Sequence, residues 1–284
     1  MVTIKDYEGG VTAWCPGCGN FSILLALKRA LVEQNIEPYQ VLVVSGIGQA
    51  GKLPHYMKCN TLNALHGRDI PEAIGAKIAN HELNVIAVGG DGDGYGEGGN
   101  HFMHAILKNV DITYVVHDNQ IYGLTKGQAS PTSDKGFVTK TTPEGVISLP
   151  INPIALAISL GATFVSRGFA GEVDHLVELM KKAMQHKGFA LIDVLQPCVT
   201  FNRLNTWEWY RKRVYKLEDT DYNPTNRLAA FQKALEWGDK IPIGVIYRSD
   251  RLTFEEQLSA LKEKSLVKQK IDPMACEKLL DDLI

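Results

Sequence analysis

One stretch limits what this chain can fold into more than any other. From Asn84 to Asn119 it reads NVIAVGGDGDGYGEGGNHFMHAILKNVDITYVVHDN. Asn84–Val88 is a short β-branched run, the pattern of a buried strand. Seven glycines between Gly89 and Gly99 follow; so many are expected to forbid regular structure and to bring backbone N–H groups close to a ligand. Helical spacing resumes over His101–Asn109, and Ile112–Val116 is a second buried strand. Strand, glycine-rich turn, helix and strand together make a place to hold a phosphate at the positive end of a helix.

Two readings of the turn compete. Gly94-Tyr95-Gly96-Glu97-Gly98-Gly99 fits G-x-G-x-x-G, and Asp118 lies 19 residues further on at a strand end, as a nicotinamide-binding unit requires. Asp91 and Asp93 stand against it. Two bare carboxylates at that strand end repel a diphosphate unless a cation lies between them. Mg²⁺ resolves the conflict: Asp91 binds the metal, the metal binds the diphosphate, and Asn119 brings a second oxygen ligand from the next strand. A magnesium–diphosphate site therefore fits better. An idle surface loop is disfavoured by the chain entropy that seven glycines lose on folding.

A chain of 284 residues buries a sizeable core and is compatible with one large α/β domain plus an extension. Its net charge of −2 argues against a nucleic-acid partner, and no apolar run reaches the length of a membrane span. Met1–Gly10 carries Lys, Asp and Glu rather than a signal peptide, so a cytoplasmic protein is expected. Five cysteines without regular spacing make no disulfide framework; reduced thiols or metal ligands are expected instead. Cys15-Pro16-Gly17-Cys18 presents two sulfurs from one tight loop, suited to zinc, an iron–sulfur cluster or a redox disulfide, with two buried structural thiols as the plain alternative. A zinc ribbon needs a second such pair, and the chain has none. Cys276, in a helical pattern, reads as inert packing.

The remaining chain alternates. Phe21–Val32 reads as an amphipathic helix, Gln40–Val44 as a strand, Ser45–Gly51 as a second glycine-rich turn and Ile70–Ala79 as a helix. Lys52 beside that turn can meet an anion, although a lysine is more often a solvated charge. Tyr122–Ser133 is polar and hangs at the carboxyl end of a strand, where α/β sheets bind ligands. Gly136–Pro150 is a connector, followed by a helix at Asn152–Leu160, a strand at Thr163–Arg167, a helix at Val173–His186 and a strand at Ala190–Val194. The alternation predicts an α/β fold with a mostly parallel, doubly wound sheet and helices on both faces. From Asn205 to Asp221 the chain turns aromatic and charged, which reads as a tail wrapping a partner or, equally, a peripheral helix. Residues 1–204 are expected to bind the cofactor and 205–284 to form an extension contacting a partner, with short helices at Phe254–Lys264 and Met274–Leu283.

Gly90-Asp91-Gly92, followed 28 residues after Asp91 by Asn119, is similar to the thiamine diphosphate motif. Within that group the chain resembles the β subunit of the 2-oxoacid:ferredoxin oxidoreductases. Five further segments carry the resemblance in family order: Trp14–Gly19, Ser45–Gly48, Leu65–Arg68, Tyr122–Gln128 and Gln196–Thr200, from about residue 10 to 205.

The resemblance implies the thiamine diphosphate-binding fold, with the cofactor among Ser45, Gly46, Ile47, Gly48, His66, Gly67, Arg68, Gly90, Asp91, Gly92, Asp93, Asn119, Tyr122, Gly123, Leu124 and Thr125. Mg²⁺ would be held by Asp91, Asn119 and the Ile121 carbonyl, and His66 would donate to the diphosphate, a core histidine being the alternative. Lys52 would hold the 2-oxoacid carboxylate, and Lys126 would select 2-oxoglutarate by receiving its distal carboxylate. A [4Fe–4S] cluster is implied as well. Many relatives place a cysteine directly after Ser-Gly-Ile-Gly, where this chain has Gln49; Cys15, Cys18 and Cys198 are therefore expected to be joined by Cys59, the rival readings being a three-cysteine cluster with an odd ligand and no cluster at all. The implied activity is CoA-dependent oxidative decarboxylation with electrons passed to ferredoxin. It needs an α subunit for the glutamate facing the aminopyrimidine, with γ or δ chains as further partners. The other readings are a thiamine-dependent decarboxylase or synthase half without a cluster, a nicotinamide dehydrogenase and an assembly subunit without a cofactor.

Overall fold

The computed structural model describes residues 1–262, 264–270, 274 and 280. Its strands are β1 (Val41–Ser45), β2 (Asn60–Asn63), β3 (Asn84–Gly90), β4 (Thr113–Asp118), the short pair β5 (Ile121–Tyr122) and β6 (Gln128–Ala129), β7 (Phe164–Phe169), β8 (Ala190–Leu195), β9 (Val214–Lys216) and β10 (Ile241–Arg248). The α-helices are α1 (Asn20–Glu33), α2 (Asp69–Ala79), α3 (Gly99–Lys108), α4 (Pro153–Ser159), α5 (Val173–Gln185), α6 (Trp207–Arg211), α7 (Arg227–Ala234) and α8 (Phe254–Gln257).

Eight strands form one sheet in the order β2-β1-β3-β4-β8-β7-β10-β9. Pairing is parallel from β2 to β7; β10 then runs antiparallel to β7 and parallel to β9. Side chains alternate across the pleat, so each strand feeds two cores. Val43, Ile86, Val88, Val115 and Ile192 meet α1 and α5 on one face. Val44, Val85, Ala87, Val116, Val165 and Leu191 meet α2, α3, α4 and α7 on the other. The expected doubly wound architecture is present.

Register sets the site. Ser45 lies opposite Val88, Gly90 opposite His117 and Asp118 opposite Leu195, so the loops leaving β1, β3, β4 and β8 emerge side by side at one edge.

Two expectations change. The glycines after β3 do not forbid regular structure: Gly92–Glu97 winds as a π-helix that runs on into α3, and none of the seven from Gly89 to Gly99 has positive φ. They serve close packing instead. A Cβ on Gly92 would fall 2.1 Å from the Tyr122 ring, one on Gly94 1.9 Å from the Tyr114 hydroxyl and one on Gly96 2.6 Å from the Tyr122 hydroxyl. The aromatic stretch after Asn205 folds back as α6 and β9. Tyr210 is buried with Phe169, Leu195, Ile241 and Ile243, and Trp207 and Trp209 pack over them, so its own sheet holds it. Of the expected helix at 274–283 only residues 274 and 280 are described, and Cys276 lies outside the described residues. Among the described residues no helix is long and apolar enough to cross a membrane.

Candidate functional site

Asp91 ends β3 only 1% exposed. Its Oδ2 accepts hydrogen bonds from the Ser130 and Thr132 hydroxyls, the latter at 2.6 Å. Thr132 Oγ1 also lies 2.9 Å from Asp118 Oδ1. One hydroxyl proton cannot serve two carboxylates, so a carboxyl in this chain of contacts carries a proton of its own. Burial pushes Asp91 up to about 6, against the pull of the two hydroxyls. Burial, with the charges of Asp193 and Asp91 added, raises Asp118 well above the ordinary carboxylate value. Burial thus raises both carboxyls, and Asp91 is the one that lines the cleft and can meet a cation.

Asp93 is organised differently. Its Oδ1 accepts from the backbone N–H groups of Ile47 (3.1 Å) and Gly67 (2.8 Å) and lies 2.6 Å from His66 Nδ1. Among the described residues its Oδ2 is buried without a well-formed hydrogen bond, as are Asp69 Oδ2 and the Tyr114 hydroxyl, which lie against each other. All three lie within 3.0 Å of the point that a Cβ on Gly89 would occupy. Burial and the neighbouring Asp93 charge push the Asp69 carboxyl up to about 8.

Of the expected contacts, Ile47, Gly48, His66, Gly90, Asp91, Gly92, Asp93, Asn119, Tyr122, Gly123, Leu124 and Thr125 line one cleft, together with Ile121. Several others do not. Ser45 points inward, donating to the Gly51 carbonyl and accepting from Asn63 Nδ2. Gly46 and Gly67 stand behind the wall, where a Cβ on Gly46 would strike the Asp93 carboxylate at 1.8 Å and one on Gly67 the Glu97 backbone at 2.5 Å. Arg68 is exposed outside the cleft, Lys52 is half-buried in the 3₁₀ turn Ala50–Tyr56, and Lys126 is exposed with φ 66° on the β5–β6 loop. Sequence reading missed Ser130, Thr132 and Asp69; only the polarity of the loop after Tyr122 hinted at the two hydroxyls. Asp118, which a nicotinamide ribose would need, is buried against Thr132 and Gln120 and does not line the cleft.

The donors suit Mg²⁺ and a diphosphate. One carboxylate (Asp91), one amide (Asn119) and one main-chain carbonyl (Ile121) share a wall, the hard-oxygen set that leaves places for phosphate oxygens and water. Asn119 is oriented by accepting from Ile121 N at 3.1 Å and donating to Gln196 Oε1 at 3.0 Å. A Cβ on Gly48 would meet nothing within 4 Å, and one on Gly90 nothing nearer than 4.0 Å, so both leave room. Among the described residues no three His, Cys, Asp or Glu side chains are placed to hold a metal ion by themselves.

Cys15, Cys18 and Cys198 line a second cavity with Trp14, Asn20, Gln49, Asn119, Gly123 and Gln196. Thr200 Oγ1 lies 3.1 Å from Cys15 Sγ and Gln196 Nε2 3.5 Å from Cys18 Sγ. Burial pushes the Cys18 thiol up to about 11. Cys59 is not on this wall, contrary to expectation. It enters β2 at its amino end, where Asn60 faces Leu42, and packs in the α1–α5 core beside the Val43 backbone and Lys28. The cavity belongs to the opposite, carboxyl edge. Gln49 stands there instead, its main-chain carbonyl accepting from Trp14 Nε1 at 2.8 Å and its Oε1 buried without a partner among the described residues. The four-cysteine set implied for a [4Fe–4S] cluster does not fit the residues gathered here.

Residues 43–194 match the thiamine pyrophosphate enzyme, C-terminal TPP binding domain, and residues 198–263 match the C-terminal part of the pyruvate ferredoxin oxidoreductase beta subunit. A 2-oxoacid:ferredoxin oxidoreductase subunit beta of Saccharolobus solfataricus is 50% identical over 264 residues, 89% of this chain and 87% of the relative. A 2-oxoglutarate synthase subunit KorB of Methanocaldococcus jannaschii is 36% identical over 252 residues, 88% and 93% of the two chains. Among solved structures, a 2-oxoglutarate:ferredoxin oxidoreductase from Magnetococcus marinus with 2-oxoglutarate, coenzyme A and succinyl-CoA bound is similar at a TM-score of 0.91 and 38% identity, covering 98% of this chain and 96% of that one.

Proposed function

This chain belongs to the β subunits of the 2-oxoacid:ferredoxin oxidoreductases, and we propose that it holds thiamine diphosphate and Mg²⁺ for the CoA-dependent oxidative decarboxylation of 2-oxoglutarate. The observation that carries this reading is the convergence of Asp91, Asn119 and Ile121 on one glycine-walled cleft that shares Gln49, Asn119 and Gly123 with the cysteine cavity. When bound, the thiamine supplies the chemistry that releases CO₂. The chain's own residues bind and orient. Asp91, held by Ser130 and Thr132, and the Asn119 and Ile121 oxygens hold the metal, and Asp93 fixes the His66 ring beside the cleft. Cys15, Cys18 and Cys198 line the far side of the shared wall and would be the residues facing an iron–sulfur group, which would supply electron transfer toward ferredoxin. An α subunit supplies the groups that activate the cofactor, so this chain alone is inactive.

Preference for 2-oxoglutarate rests on Lys126 and on the names of the relatives. Lys126 directly follows the Tyr122–Thr125 segment that lines the cleft, and a cation on that loop supports the reading because it can receive a distal carboxylate. In the assembled complex, Lys126→Glu raises KM for 2-oxoglutarate at least about tenfold more than for pyruvate, the equivalent of ~1.4 kcal/mol. Equal effects on both substrates would sink this assignment.

A further inference from the structure

We infer that Tyr95 is a positioning residue: its hydroxyl, bonded to Asp193 on β8, holds the glycine turn in the form that presents Asp91 to the cleft. The inference rests on the reading of the cleft as a metal site and goes beyond it in naming what fixes the turn. Asp91 is the residue from which the π-helix Gly92–Glu97 starts, and it lines the cleft. A π-helix is a rare form, and Gly92, Gly94 and Gly96 within it have backbones able to take many others. With so little side chain of its own, the turn keeps one shape only where contacts from outside repay the ordering of its backbone. Asp93, Tyr95 and Glu97 are its remaining residues, and Glu97 is exposed, so Asp93 and Tyr95 are left to anchor it.

The two anchors reach to either side of β3. Asp93 takes the backbone N–H groups of Ile47, after β1, and of Gly67, before α2. Tyr95, 4% exposed, reaches past β4 in the other direction and donates to Asp193 Oδ1 at 2.8 Å. Asp193 is itself held. It is buried, stands opposite Arg167 of β7 in the parallel register, and has its Oδ2 3.9 Å from Arg167 Nε. That is too long for a hydrogen bond, but the buried guanidinium balances the carboxylate charge where little solvent can. Trp237 covers the guanidinium, its ring centre 5.6 Å from Cζ. The Tyr95 ring packs edge-on to Phe102 with centroids 5.2 Å apart, a contact that a phenylalanine would keep. The hydroxyl can therefore be removed to release the turn without emptying the core.

The test uses the complex with its partner subunit, titrated calorimetrically with Mg²⁺ in the presence of thiamine diphosphate. Tyr95→Phe weakens Mg²⁺ binding about tenfold. Asp193→Asn keeps a partner for the hydroxyl, since an amide both donates and accepts, and binds Mg²⁺ within about twofold of the wild type. Both variants melt below the wild type without ligand, one by leaving a buried acceptor open and the other by leaving Arg167 unpaired. Lost stability is thus common to the two, and lost affinity belongs to one. In the metal-free complex the Gly92–Glu97 amides exchange hydrogen at least about tenfold faster in Tyr95→Phe than in the wild type or Asp193→Asn. Wild-type Mg²⁺ affinity or unchanged exchange in Tyr95→Phe, or an equal loss of affinity in Asp193→Asn, overturns the inference and leaves the reading of the cleft standing. A wild-type complex that binds no Mg²⁺ overturns both.

Discussion

Around Asp91, two hydroxyls grip one carboxylate oxygen, one of them also bonds Asp118, whose carboxyl burial raises well above the ordinary value, and the adjoining amide of Asn119 is bonded at both ends. Around the three cysteines, side-chain contacts to sulfur come from one amide at 3.5 Å and one exposed hydroxyl at 3.1 Å. Both sites lie at the same sheet edge and share part of a wall. The cleft is therefore pre-organised by the fold, whereas the sulfurs of the cavity have few side-chain contacts to fix them. A small anion-and-metal site needs fixed oxygens; soft thiolates on loops gain their order from the metal they bind.

The sharpest way to break this contrast is to remove its centre. Asp91→Ala abolishes the stabilisation given by Mg²⁺ and thiamine diphosphate, ~2.7 kcal/mol at a hundred times Kd, read as loss of the ligand-dependent rise in melting temperature. A rise that survives means the cleft is not organised around Asp91.

A second measurement probes what pre-organisation costs. Asp69 has its carboxyl raised from 3.8 to about 8. A raised acid contributes stability that is complete below the unfolded value and lost as pH climbs toward the folded one. Wild-type stability, followed by urea unfolding, therefore falls relative to Asp69→Asn between about pH 4 and pH 8, by up to ~1.4 kcal/mol per pH unit, and runs level above that window. A pH-independent difference between the two proteins means Asp69 is ionised and its unpaired oxygen has another partner.

The smallest effects compare two threonines. Thr132→Val weakens Mg²⁺ binding ~10–100-fold, because the hydroxyl that orients Asp91 and separates it from Asp118 is gone. Thr200→Val, at an exposed hydroxyl against Cys15, changes unfolding free energy by no more than ~0.5 kcal/mol. Equal responses in calorimetric Mg²⁺ titration would erase the distinction between the two regions.

How much of this could be read from the residues follows from how local each feature is. The strand–turn–helix around Asp91 and the arrival of Asn119 after the next strand are contiguous patterns, and the fold and the meeting of these residues on one wall of the cleft are legible from them. Ser130 and Thr132 are not, since a hydroxyl in a polar loop looks the same whether it faces water or a buried carboxylate. Gly46 and Gly67 match a cofactor motif, yet their missing side chains make room for Asp93 and for the Glu97 backbone. Cys59 misleads for a geometric reason. Ten residues beyond Gln49 is close in sequence, but a parallel strand must start again from the far edge, and only the pairing of Asn60 with Leu42 reveals that. The fold-back of Trp207, Trp209 and Tyr210 depends on β10, a strand that joins by antiparallel pairing late in the chain.

Gln49, Asn119 and Gly123 face both compartments. On the proposed reading, a partition one side chain thick would be the path for charge from the organic cofactor to the sulfurs. It also ties the two compartments together: a residue swapped to suit a bulkier ligand in the cleft reshapes the cysteine cavity on the other side, so the two are not free to drift apart.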